Sequence, residues 1–69
     1  MNIGKAVKKF RKEKGWSRTR LCEESGCVYT TVSGIENSLF ETRISTLSQL
    51  AETLGVKLSD IVLEAEKYD

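Results

Sequence analysis

The stretch from Trp16 to Asn37, WSRTRLCEESGCVYTTVSGIEN, constrains this chain more than any other. It reads as a short helix, a sharp turn at Ser25-Gly26-Cys27 and a second short helix. Leu21, Cys22, Cys27, Val32 and Ile35 fall where two crossed helices must touch each other and a core. Tyr29, Thr30, Thr31 and Ser33 are left on the outer side of the second helix. Gly26 can take the left-handed conformation that a tight inter-helix turn needs. Local preference argues the other way, because Val-Tyr-Thr-Thr-Val at 28–32 favours a strand and Gly34 costs a helix about 1 kcal/mol. Spacing decides: Val28, Val32 and Ile35 fit one helical face, and no second strand candidate exists to pair with this one. A helix over 29–37 is expected.

The rest of the chain supplies helices for this pair to pack on. Asn2 can cap a first helix over residues 3–14, whose apolar face is Ile3, Ala6, Val7 and Phe10 and whose stop is Gly15. Ser17 caps the next helix, and Trp16 can staple onto Leu21. Residues 39–43 read as a loop. Ile44, Leu47, Leu50, Ala51 and Leu54 mark the core face of a fourth helix ended by Gly55. Leu58, Ile61 and Val62 mark a short fifth helix capped near Ser59, and residues 64–69 read as an acidic tail. The expectation is an all-α, compact five-helix domain spanning 1–69 with its core in about 3–63.

A chain of 69 residues has room for one domain. No apolar run approaches the roughly 20 residues of a membrane span. The charged N-terminus lacks the apolar stretch of a signal peptide, so a cytoplasmic protein with reduced thiols is expected. The net charge of +1 hides an asymmetry: residues 1–20 carry +7 and residues 21–69 carry −6. Such polarity suits one face to phosphates, or is simply a solvated helix face balanced by acids elsewhere. Cys22 and Cys27 read as small core hydrophobes, with a redox bridge as the weaker reading. Two cysteines and no histidine cannot fill four zinc ligand positions. With no histidine, no phosphate-binding glycine loop and no activated nucleophile in view, an enzyme is not expected. Neither is a cofactor, a metal or a small-molecule ligand.

The chain resembles the phage repressor and Cro type helix-turn-helix family, the xenobiotic-response-element class of small bacterial and phage regulators. Its carriers are Ile3-Gly4, Arg11, Gly15-Trp16-Ser17, Leu21-Cys22, Gly26-Cys27, Thr31-Val32-Ser33 and Ile35-Glu36-Asn37, then Leu47, Leu50-Ala51 and Leu54-Gly55-Val56. The resemblance implies a lambda-repressor-like DNA-binding domain whose third helix enters the major groove of double-stranded DNA. Tyr29, Thr30 and Ser33 would read bases, and Ser17, Arg18, Thr31, Asn37 and Arg43 would hold phosphates. It also implies an ion pair between Arg11 and Glu36, whose disruption costs about 3–5 kcal/mol if buried and little if exposed. Members commonly dimerise on operators with two-fold symmetry and repress, or sometimes activate, transcription. Leu39, Phe40, Ile61, Val62 and Leu63 are the interface candidates for such a homodimer, with core packing as the other reading of Leu39 and Phe40.

Three departures from the family pattern stand out. Arg18 replaces a common glutamine that contacts phosphate and supports a base-reading neighbour. Val28 replaces a capping serine or threonine, a loss of about 1 kcal/mol to the third helix. Ser38 replaces a glycine, and the usual proline before the fourth helix is absent. The missing cap and the acidic second half keep an alternative open. That alternative is a protein-interaction module of the same fold, an antitoxin-like partner or an antagonist of a regulator.

Overall fold

The computed structural model describes residues 1–39 and 41–68. Five helices follow in order: α1 (Ile3–Glu13), α2 (Arg18–Ser25), α3 (Tyr29–Glu36), α4 (Ile44–Leu54) and α5 (Leu58–Ala65), with no strand among the described residues. The fold is the expected all-α one.

The helix ends follow from local chemistry. Asn2 accepts a hydrogen bond from the backbone N–H of Lys5 at 3.0 Å, and Ser17 Oγ accepts one from Arg20 at 3.1 Å. Each satisfies an amide that the first turn leaves without a partner. Gly26 closes α2 in the left-handed region at φ 78°, freeing the chain to turn sharply into α3. No side chain caps α3, where Val28 stands at the N-cap. The fifth helix begins on Lys57 rather than near Ser59. Asp60, three residues on, accepts from the Lys57 N–H at 3.0 Å and places a carboxylate in the first turn, where the helix dipole favours it.

The third helix ends on two backbone bonds, Ser38 N–H to Ile35 O at 3.1 Å and Leu39 N–H to Gly34 O at 2.9 Å. This pair is a Schellman closure, which needs a left-handed residue at its centre. Ser38 occupies that position at φ 58° without being glycine.

Leu21, Leu50, Ile61, Val7 and Val32 are fully buried, so every helix sends at least one side chain to a shared centre. The first helix lies against α5 and α3, and α2 lies against α3 and α4. Two residues expected on core faces are instead exposed, Val28 at the start of α3 and Ile44 at the start of α4. Val28 is the N-cap, with extended backbone, and Ile44 is the first residue of α4, so each stands at a helix end outside the core. Ile61, an interface candidate, is a core residue with no exposed surface. The expected acidic tail starts inside the fold: α5 continues to Ala65, which is buried, and Glu64 binds Lys9 at 3.0 Å and Lys67 at 3.3 Å. Val62 is half-buried, while Leu39 and Leu63 are exposed; Phe40 lies outside the described residues. Leu39 therefore does not fold back into the core.

Candidate nucleic-acid interface

One carboxylate holds three helices together. Glu36, at the end of α3, has a fully buried side chain and receives two arginines. Arg11 of α1 donates from Nε to Oε2 at 2.8 Å and from Nη2 to Oε1 at 3.1 Å. Its remaining arm donates from Nη1 to the Trp16 carbonyl at 2.6 Å, which fixes the link before α2. Arg18 of α2 donates from Nε to Glu36 Oε1 at 3.0 Å. The planar guanidinium of Arg11 makes a two-point contact with the carboxylate that an ammonium cannot, so a lysine there would not replace it.

The same Arg18 reaches further along α3. Its Nη1 donates to Ser33 Oγ at 3.3 Å and its Nη2 to Asn37 Oδ1 at 3.3 Å. Asn37 Nδ2 then donates to Ser33 Oγ at 3.4 Å. The Glu36 carboxylate, and after it Tyr29, keep Arg18 charged to higher pH than usual, against the opposing effect of desolvation. Arg18 and Asn37, expected on phosphates, and Ser33, expected on bases, thus form one network, and Arg18 spends three donors on the protein itself. The other arginine of that first turn, Arg20, pairs with Glu24 at 2.8 Å and lies 5.1 Å from the Trp16 ring centroid.

The remaining site residues occupy two places. Tyr29 and Thr30 project from the first turn of α3, Tyr29 with half its surface open to solvent. Thr31 and Arg43 meet across a cleft of about 290 Å3 between α3 and the start of α4, whose walls include Thr42 and Thr46. Arg43 is the exposed N-cap residue of α4. Ser17 is spent as a cap, though its hydroxyl proton points to no acceptor among the hydrogen bonds of the described residues.

The lysine-rich N-terminus does not form part of this surface. Lys5, Lys8, Lys9 and Lys12 share a shallow groove with Glu13 and Tyr68 that includes no residue of α2 or α3. Lys5 stands 5.6 Å from the Tyr68 ring centroid, and Lys9 is held by Glu64. Lys14 sits over Trp16 at 4.8 Å. Four of the eight basic residues of the first twenty thus gather beside Tyr68, while Arg11 and Arg18 converge on Glu36.

Gln49, on the polar side of α4, donates its amide to the carbonyl of Ser25 and so fixes the end of α2 next to the turn. Nothing in the local pattern marks this residue, since the bond spans 24 positions of sequence. Cys22 and Cys27 are half-buried free thiols packed against the core, and burial pushes the Cys22 thiol above its usual range.

Two helices crossed at a left-handed glycine, with the second presenting its outer face, define a helix-turn-helix domain. A family model described as helix-turn-helix matches residues 7–61, and the chain belongs to that family. It is 36% identical over 66 residues to the HTH-type transcriptional regulator PuuR of Escherichia coli, an alignment covering 96% of this chain and 36% of that protein. It is 33% identical over 69 residues to the Competence pilus inhibition repressor of Acinetobacter baylyi, covering all of this chain and 63% of the relative. The chain thus spans between about a third and two thirds of the length of these relatives. Among solved structures it is similar to SinR, a master regulator for biofilm formation crystallised in complex with DNA. The TM-score is 0.83 at 33% identity, over 87% of this chain and 97% of that one.

Proposed function

We propose that this chain is a sequence-specific DNA-binding transcriptional regulator, a repressor that acts in the cytoplasm as a homodimer on an operator with two-fold symmetry. The observation that carries the reading is the pairing of an exposed first turn of α3 with a rigidly held last turn. Tyr29 and Thr30 are exposed to solvent, while Glu36 is locked to α1 and α2 by two arginines. A helix held this way can enter a major groove without reorganising, so binding costs less ordering. The kinship with SinR, which is known bound to DNA, supports the same placement.

In this arrangement Tyr29, Thr30 and Ser33 face base edges. Ser17, Thr31 and Arg43 approach phosphates on the two sides of α3, and Arg18 and Asn37 offer the N–H groups their mutual network leaves over. Exposed Leu39 and Leu63, with half-buried Val62, supply apolar area for a partner subunit.

Selection from random duplex DNA tests the proposal. It should enrich an inverted repeat with half-site centres about 34 Å apart, one turn of the double helix. Affinity should fall with rising salt, Arg43→Ala should reduce that salt slope by about one, and Tyr29→Ala should relax preference at the bases it faces. Failure to enrich any motif, together with salt-independent behaviour, would refute the regulator.

A further inference from the structure

The Arg18 network determines more than the position of α3. A serine hydroxyl has two acceptor lone pairs and one proton to donate. At Ser33 both lone pairs are taken, one by Arg18 Nη1 at 3.3 Å and the other by Asn37 Nδ2 at 3.4 Å. The orientation of Asn37 is forced by chemistry, because a guanidinium carries only donors and must meet the amide oxygen. That leaves the amide nitrogen, 3.4 Å away, for Ser33. No acceptor among the described residues takes the Ser33 proton.

We infer that Arg18 is a positioning residue that fixes Ser33 as a hydrogen-bond donor only, so that Ser33 selects bases offering an acceptor and rejects cytosine. The inference rests on the DNA-reading role proposed for α3. In the major groove guanine offers N7 and O6, thymine offers O4 and adenine offers N7 beside its amino group. Cytosine offers only the N4 amino group, itself a donor. A serine free to rotate would satisfy either sense. A serine with both lone pairs occupied meets cytosine donor to donor. The common glutamine at the position of Arg18 has a single amide and cannot span Glu36, Ser33 and Asn37 together.

The test compares base preferences of the full chain and four variants after selection from random duplexes. Ser33→Ala locates the position, as the one column of each half-site that it flattens. In the wild-type motif cytosine should be depleted about tenfold at that column relative to guanine, the scale of leaving one desolvated donor without an acceptor. Arg18→Met and Asn37→Ala each free one lone pair and should restore cytosine there, leaving other columns unchanged. Arg18→Met leaves Glu36 with both bonds from Arg11, and Asn37→Ala leaves the Arg18–Glu36 pair intact, so a folding defect in one does not silence the other. Arg18→Lys, which donates without the planar fork, should fall between them and wild type. Three results would overturn the inference: cytosine tolerated at the Ser33 column in wild type, no column altered by Ser33→Ala, or a uniform affinity loss in Arg18→Met and Asn37→Ala with preferences intact. The last would make Arg18 a phosphate contact alone. No motif from wild type would instead remove the DNA-reading role itself, and the inference with it.

Discussion

Replacing Gly4 by alanine probes the closest approach in the fold. An ideal Cβ at Gly4 would lie 2.2 Å from the carbonyl oxygen of Ile35 and 3.0 Å from that of Glu36. Both are backbone atoms at the end of α3, so no side chain can swing aside. Ordinary contact begins near 3.4 Å, so α1 must retreat by roughly 1 Å, a gap that forfeits a quarter to a half of each dispersion contact it opens. Overpacking of this kind costs about 1–3 kcal/mol, and an unyielding backbone partner places Gly4→Ala at the upper end. Alanine returns up to about 1 kcal/mol through helix propensity, leaving a net loss of about 2 kcal/mol. For a domain of this size that lowers Tm by about 8–16 °C. Thermal unfolding followed by circular dichroism measures it, with Lys12→Ala on the exposed side of α1 as a control expected within about 0.5 kcal/mol of wild type. A Gly4→Ala variant melting at or above wild type would refute the reasoning, since helix propensity would then outweigh the clash.

Three further outcomes follow from the same geometry. Ser38→Gly relieves a left-handed serine at φ 58° but gives up its 3.3 Å bond to Asn2, so a net gain of up to about 1 kcal/mol should appear as a Tm a few degrees higher. Glu36→Gln strands two guanidinium groups and should cost about 3–5 kcal/mol in denaturant unfolding, whereas Arg11→Met, which leaves Glu36 paired with Arg18, should cost less. The Glu64 carboxyl, held below its usual range first by Lys9 and then by Lys67, should titrate low in NMR and move upward in Lys9→Met. Its folded pKa is depressed, so its stabilisation is complete above the ordinary carboxylate range and fades as pH falls through the lower, folded value.

Much of the frame was readable because its signals are local. Asn2 and Ser17 cap the helices they precede, and Gly15, Gly26 and Gly55 all take positive φ where the chain must turn. Helix boundaries depend on a few adjacent residues, and the apolar spacing of Leu47, Leu50, Ala51 and Leu54 reports directly on burial. Residues whose fate depends on another helix were read less well. Arg18 looked like a hand extended to phosphate, and its reach across to Ser33, Glu36 and Asn37 is set by how α2 crosses α3. Glu64 looked like part of a solvated acidic end, yet a lysine 55 positions earlier makes it a buried partner. Ile61 and Leu63 share a composition and a neighbourhood, and only the packing of α5 on α1 sends one inward and the other out.

The Arg18 network also bears on how such domains can be re-engineered. Exchanging the outer residues of a recognition helix between two relatives treats that helix as an interchangeable cassette. Here the cassette has a clasp outside its own borders, because Arg18 on α2 holds Ser33 and Asn37 as well as Glu36. If α3 reads bases as proposed, a graft of residues 29–37 into a host with glutamine at the corresponding position would carry the outer residues without the arginine that holds Ser33 and Asn37. On that reading, specificity moves intact only when Arg18 travels with the helix.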